Sequence, residues 1–204
     1  FLPIFAVNYL PPILSRFHKL QPAVHVRVFE TPSAAVAELV QSGDVEFGLS
    51  VVQTNRWDLE VEAISASAFV LTCPSRHALA KKRTVGWGEL RNVPMIRVGP
   101  KTAIRPMIDD ALAAARLSFN WRYEVEHVET AVNLVDAGLG CAIVPSIDVV
   151  LHRGRGLAAV PLRSPKLSCV YGLVTRRGMP LSVPAASLRG LLVDEMKAKA
   201  DLHA

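Results

Sequence analysis

A two-lobed α/β fold is the class this sequence predicts. Two short segments carry most of the prediction, Gln41–Leu49 (QSGDVEFGL) and Asp136–Pro145 (DAGLGCAIVP). Each reads as a helix end, a glycine stop and then a short apolar strand. In the first, Val36, Leu39 and Val40 have helical spacing, Gly43 suits the left-handed position after a helix, and Val45–Val52 is strand-like. In the second, Ala131, Leu134 and Val135 share a helix face, Gly138 stops it, and Cys141–Val144 continues as a buried strand. Repetition of helix, glycine and strand builds parallel α/β layers, which bind ligands at strand C-termini and helix N-termini. The third observation is a change of character after Cys73-Pro74, where a basic, polar stretch (Ser75–Thr84) marks a crossing into a second lobe. The expected division is residues 1–73 and 171–204 in lobe one and 74–170 in lobe two.

Taken in order, Phe1-Leu2-Pro3 reads as the end of a strand, as in a fragment of a longer chain. Tyr9–Lys19 is an amphipathic helix with Leu10, Ile13, Leu14 and Phe17 on one face; Pro11 and Pro12 are expected in its first turn. Val24–Phe29 alternates as a strand with one buried face. Thr31-Pro32-Ser33 opens the helix that ends at Gly43. Strands follow at Phe47–Val52 and Phe69–Thr72. In lobe two the pattern gives a strand at Val93–Val98, a helix at Arg105–Ala115 and a strand at Arg122–Val128. A helix at Glu129–Ala137, a strand at Cys141–Val144 and a short helix at Pro145–Leu151 come next. Leu157–Leu162 and Val170–Thr175 are strand-like, and Pro184–Ala200 closes the chain as a helix.

Composition bounds the function. The chain has 204 residues, half of them hydrophobic, enough for real cores. No apolar run reaches the ~18–20 residues a membrane helix needs, and no signal peptide opens the chain. A soluble, cytoplasmic protein without membrane partners is expected. Net charge is +5, with basic clusters at Arg76–Arg83, at Arg153 and Arg155, and at Arg176-Arg177. No aromatic residues interleave them, so solvated loops are favoured over a nucleic-acid surface. Cys73, Cys141 and Cys169 are widely spaced and set in apolar runs, as buried, reduced thiols would be.

Catalytic and cofactor motifs are missing. Gly138-Leu139-Gly140 lacks the third glycine of a dinucleotide loop and ends a helix where the fingerprint should begin one. Glu126-His127-Val128-Glu129 is not a zinc-protease motif, and Gly48-Leu49-Ser50 is followed by Val51-Val52 rather than a nucleophile elbow. The six histidines have no metal-ligand spacing. A non-enzymatic protein without cofactor or metal is expected.

Several stretches together resemble the effector-binding domain of LysR-type transcriptional regulators. They are Leu2–Pro11 at the opening; Phe17 and Pro22 before the Val24–Phe29 strand; Gly43–Leu49; Pro74–Leu79, with Ala78 where proline is usual; Trp87–Leu90 with Pro94-Met95-Ile96; and Gly138–Pro145. Each is weak alone, but their order and spacing span essentially the whole chain. The resemblance implies two Rossmann-like lobes around a ligand cleft, the fold of type 2 periplasmic binding proteins. It also implies a small-molecule effector, homodimers through this domain, tetramers at full length, and promoter DNA bound only through an N-terminal winged helix-turn-helix absent from this chain. A periplasmic solute-binding protein of the same fold is the alternative. The cysteine spacing does not match the close pair of peroxide-sensing relatives.

Physical reasoning and resemblance point to helix N-termini, whose free N–H groups and positive dipole ends bind carboxylates. Three are nameable: Ile4-Phe5-Ala6, Thr31-Pro32-Ser33, and His127-Val128-Glu129-Thr130. The position of Ile4 is usually Ser or Thr in the family, so this ligand is expected to be held there by backbone or to be less polar at that end. Ser33 keeps the family's hydroxyl and could equally cap its helix. Lys101 and Thr102 lie where relatives supply effector contacts, or form an ordinary turn. His127 could bond a ligand or be structural, and Phe5 could wall the site or pack the core. The candidate ligand set is therefore Ile4, Phe5, Ala6, Thr31, Ser33, Lys101, Thr102, His127 and Thr130.

Overall fold

The structure, a computed structural model, describes residues 1–52, 57–150 and 156–201. They fall into two compact units, residues 1–66 with 170–204, and residues 67–169. The divisions fall inside two strands, between Ala66 and Ser67 and between Cys169 and Val170, where the sequence reading places them after Cys73 and Val170.

Unit 1 begins with helix α1 (Pro3–Leu20), entered through a proline in the first turn. Its start corrects the expected Tyr9, and Pro11 and Pro12 lie mid-helix rather than in the first turn. The physical reason is the apolar stripe, which runs upstream through Phe5 to join Tyr9, Leu10, Ile13 and Phe17, all buried. Both prolines sit on the exposed face, where the carbonyl of Val7, itself exposed, can be hydrated in place of its lost helical bond. Helix α2 (Ser33–Ser42) ends at Gly43 as expected, with φ +85°. Strand β1 (Phe47–Val51) follows. The first half of strand β2 (Leu59–Pro74), strand β7 (Ser168–Arg176) and helix α6 (Val183–Asp201) complete the unit.

In unit 1 strand β1 pairs antiparallel with β7, from Phe47 opposite Thr175 to Val51 opposite Tyr171. Phe5 joins the layers, its ring 5.2 Å from Tyr9 and 4.7 Å from Tyr171. Two glycines are forced by close approach: a Cβ on Gly48 would lie 2.4 Å from Val36 Cγ1, and one on Gly172 2.9 Å from the Glu62 carbonyl. The expected Val24–Phe29 strand is not realised as a ladder. Its backbone is extended and its burial alternates, with Val24, Val26 and Val28 half-buried and His25 and Arg27 exposed. Phe1 bonds to its end, at Phe29, and among the described residues no ladder runs along its length.

Unit 2 holds the second half of β2, strand β3 (Pro94–Val98), helix α3 (Ile104–Ala114), strand β4 (Asn120–Val125) and helix α4 (Val128–Asp136). Strand β5 (Cys141–Pro145), helix α5 (Ser146–Val150) and strand β6 (Leu157–Pro161) follow. Strand β3 pairs parallel with both β4 and β5, the layer predicted from the glycine stop at Gly138 (φ +79°). Strand β2 pairs antiparallel with β5 and β6. It is much longer than the expected Phe69–Thr72, because its Ala-, Ser- and Glu-rich first half is held by neighbours rather than by intrinsic strand preference. Residues 78–81 and 87–90 form 3₁₀ turns.

All three cysteines are buried and none is in a disulfide. Cys73, after Thr72 on β2, and Cys141, before its partner Ala142 on β5, are adjacent across the antiparallel pair, and their thiols hydrogen-bond. That bond and burial together push the Cys141 thiol pKa up.

Candidate functional site

In unit 1 the candidate residues converge at the C-terminal end of β1. The Leu2 N–H donates to the Leu49 carbonyl at 3.4 Å, which fixes the entry to α1; the Thr31 N–H donates to the Phe1 carbonyl at 3.0 Å, which fixes the entry to α2. Ser50 Oγ donates to the Ser33 carbonyl at 3.4 Å and ties the strand end to the first turn of α2. Ile4, Phe5, Ala6, Thr31 and Ser33 therefore come together. Ser50, which sequence reading missed, joins them; its signal was a buried polar residue at the end of an apolar strand.

The two helix entries differ as anion sites. At α1, Pro3 has no N–H, and the N–H groups of Phe5 and Ala6 both donate to the Leu2 carbonyl. Ile4 alone keeps a first-turn donor, and its side chain is buried. Phe5 is fully buried, its ring committed to Tyr9 and Tyr171, so it packs the core. At α2 the first helical bond is Val36 N–H to the Pro32 carbonyl, which leaves the N–H groups of Ser33, Ala34 and Ala35 pointing out of the first turn.

Ser33 Oγ is the unusual atom. Ser33 is the first helical residue, with Pro32 in the cap position, and its hydroxyl is buried and makes no hydrogen bond among the described residues. The capping role allowed by the sequence is thus not the one this side chain adopts. A buried hydroxyl without a partner costs about 1–3 kcal/mol, which a ligand acceptor would restore.

In unit 2 the loops after the parallel strands β3 and β4 lie side by side, joined by a hydrogen bond from Gly99 N–H to the Val125 carbonyl at 2.7 Å. They bring the turn that carries Lys101 and Thr102 beside the strand end that leads into His127 and α4. Lys101 and His127 are exposed. The Thr102 hydroxyl donates to the Gly99 carbonyl at 2.8 Å and closes the turn. His127 takes the cap position of α4 without a side-chain cap bond, and Thr130 is exposed. Glu129 stands in the first turn of α4 and opposes an anion there. Arg105, also unforeseen, lies beside this end: its Nη1 donates to the Val98 carbonyl at 2.6 Å and its Nε to Asp109 at 2.6 Å. Burial alone would raise the Asp109 pKa, but hydrogen bonds from Arg97 and Arg105 hold it below its ordinary value.

Within the basic clusters, Lys82 and Arg177 stand beside acids. Lys82 and Arg163 both bond Glu89, whose pKa is drawn down to about 2, first by Lys82, then by the Gly86 N–H and Arg163. Arg177 lies 4.0 Å from Glu60. Arg153 and Arg155 lie outside the described residues. Among the described residues no cluster of three metal-ligating side chains occurs, and no helix is long and apolar enough to cross a membrane.

A family model described as the LysR substrate binding domain matches residues 1–197. The HTH-type transcriptional regulator YbhD of Escherichia coli (strain K12) is 29% identical over 193 residues, 95% of this chain and 61% of the relative. The chain therefore spans about three-fifths of that relative's length. Among solved structures, the effector binding domain of QuiR in complex with shikimate has a TM-score of 0.78 at 16% identity, covering 97% of this chain and 94% of that one. The BenM effector binding domain with its effector benzoate has a TM-score of 0.78 at 18% identity, covering 97% and 90%. These likenesses show the fold expected from the sequence, that of LysR effector-binding domains. With the family model matched over nearly its whole length, the chain belongs to the LysR substrate binding domain family.

Proposed function

We propose that this domain is the ligand-sensing part of a DNA-binding transcriptional regulator, and that it binds a small organic anion through the N-terminal turn of α2. The observation that carries this reading is Ser33 Oγ, buried without a partner beside three first-turn N–H groups. That is the donor set a carboxylate takes, with the helix dipole adding to it. The structural relatives named above carry shikimate and benzoate, both monocarboxylates. Lys101, Thr102, His127 and Thr130 are the second candidate contact surface, and Lys101 supplies its free cation.

On this reading the domain has no catalytic role. Effector binding biases the arrangement of homodimers, and of tetramers at full length, and so changes how DNA-binding domains outside this chain meet a promoter in the cytoplasm. The requirement is different affinity for two arrangements, since equal affinity would shift nothing.

Thermal unfolding in the presence of aromatic and hydroxylated monocarboxylates tests the proposal. A ligand at a hundredfold excess over its Kd adds about 2.7 kcal/mol, or roughly 5–10 °C in Tm for a chain of this size. Ser33→Ala should weaken the shift strongly and Lys101→Ala more modestly. If no carboxylate shifts Tm at millimolar concentration, or if Ser33→Ala binds as the parent does, the proposed site is wrong.

A further inference from the structure

Two of the three buried thiols face each other across a strand pair of unit 2. The β2–β5 register ends with Thr72 opposite Ala142, and one step further it sets Cys73 directly opposite Cys141. The Ser75 N–H donates to the Gly156 carbonyl at 2.7 Å, on the β6 side of β2. By the alternation of an antiparallel strand, the peptide groups of Cys73 point to β6 as well. Toward β5, Cys73 and Cys141 are therefore a non-hydrogen-bonded pair, with α-carbons about 4.5 Å apart and side chains on one face. That separation lies inside the roughly 4.4–6.8 Å that a disulfide spans. Cys169 lies elsewhere, on β7.

Both side chains are buried, Cys73 at 0% and Cys141 at 1% exposure, but the pair stands where the ladder stops. The next rung would set Pro74 opposite Gly140, with the peptide groups of Pro74 turned to β5, and proline has no N–H to give. The cysteines are thus closed in by a full rung at Thr72 and Ala142 and by a weakened one beyond. Opening of that end admits a small reagent without unfolding the sheet. The thiols differ in readiness to react. The hydrogen bond from Cys141 draws the Cys73 pKa down against the effect of burial, so Cys73 ionises first and Cys141 keeps its proton.

We infer that Cys73 and Cys141 are a site of reversible oxidation, at which a hydroperoxide closes a cross-strand disulfide between β2 and β5. The Cys73 thiolate attacks the terminal oxygen of the hydroperoxide. An S–O bond forms, the O–O bond breaks, and the alcohol leaves with the thiol proton, or water in the case of hydrogen peroxide. The Cys141 sulfur then attacks the Cys73 sulfenic acid. The S–S bond forms, the S–O bond breaks, and hydroxide leaves as water with the Cys141 proton. The two thiols together lose two electrons and the hydroperoxide gains them. This inference does not depend on the proposed ligand.

Hydrogen peroxide added to the full-length protein, followed by alkylation in denaturant and non-reducing peptide mass spectrometry, tests it. The expected product is one linked peptide pair containing Cys73 and Cys141, lacking the two thiol hydrogens and separated again by dithiothreitol. Cys169→Ala should give the same pair. With dimedone present, Cys141→Ala should trap the sulfenic acid on Cys73 at least about tenfold more than Cys73→Ala traps it on Cys141. Three unlinked thiols in the parent, at a peroxide dose that fully oxidises glutathione in the same tube, overturn the inference. So does a linkage that uses Cys169 or a second chain, or over-oxidation of Cys73 without a linked pair. Equal dimedone trapping on the two cysteines overturns the assigned order of attack.

Discussion

Replacing Ser33 by alanine separates the two roles that a serine at a helix start can play, because the roles predict opposite signs. If the hydroxyl capped α2, removing it would cost about 1 kcal/mol. In the structure it lies buried and makes no hydrogen bond among the described residues. Its removal relieves part of a desolvation penalty of about 1–3 kcal/mol. Alanine also gains roughly 0.5 kcal/mol of helix propensity. Against this, the small void left by one oxygen costs a few tenths of a kcal/mol, at about 24 cal/mol per Å³. The balance is a gain of about 0.5–2 kcal/mol in the ligand-free protein, or roughly 1–8 °C in Tm. Ligand affinity moves the other way: losing a hydrogen bond to a charged group costs about 1.5–3 kcal/mol, roughly a 10- to 150-fold weaker Kd. Urea unfolding without ligand and calorimetry with it give both numbers. A Ser33→Ala protein less stable by about 1 kcal/mol, with unchanged affinity, would refute the reasoning and return Ser33 to a capping role.

Gly48→Ala should lose about 1–3 kcal/mol in urea unfolding, since its Cβ would lie 2.4 Å from Val36 Cγ1 in the packed α2–β1 layer; Gly88→Ala, with nothing within 4 Å of the new carbon, should be neutral or slightly stabilising. Asp148 is fully buried on α5, and burial pushes its pKa up to about 7. Its folded pKa is raised, so its contribution is fully present below the unfolded value near 3.9 and is lost as pH rises to about 7. Asp148→Asn should therefore gain on the parent by up to about 1.4 kcal/mol per pH unit across that window and then level off; parallel stability profiles of the two proteins from pH 4 to 8 would exclude this.

The parts of the fold that were legible in the sequence are those fixed by local chemistry. Gly43 and Gly138 both adopt positive φ at helix ends, and the strands that follow them are where the apolar runs place them. The start of α1 was not legible, because Pro11 and Pro12 suggest a first turn locally and only the buried stripe from Phe5 to Phe17 keeps them inside the helix. Nor was the length of β2, whose first half is polar and small and is defined by its neighbours. Segment 24–29 shows the converse case: its alternation is strand-like, but pairing is a property of two segments. The proximity of Cys73 and Cys141 follows from the β2–β5 register, which spacing along the chain does not encode. At the candidate site the positions were readable and the states were not. Sequence places Ser33 at a helix start; only the packing around it leaves its hydroxyl without a partner.

The contrast between helix entries also bears on ligand chemistry. Substitution of Ile4 for a hydroxyl residue removes a side-chain donor at α1, and Pro3 together with the Leu2 carbonyl removes three of the four first-turn N–H groups there. Helix α4 offers first-turn N–H groups but places Glu129 among them. Helix α2 combines three free N–H groups with an unpartnered hydroxyl and has no acidic residue in its first turn. A ligand with one carboxylate and an otherwise weakly polar body satisfies this distribution. A compact dicarboxylate leaves its second charge beside the buried Ile4 side chain. Benzoate-like acids should therefore bind at least about tenfold more tightly than dicarboxylates of similar size, a gap of about 1.4 kcal/mol. Ile4→Ser should narrow that gap by restoring a donor at α1. Tighter binding of dicarboxylates by the parent protein would place the anion elsewhere than on α2.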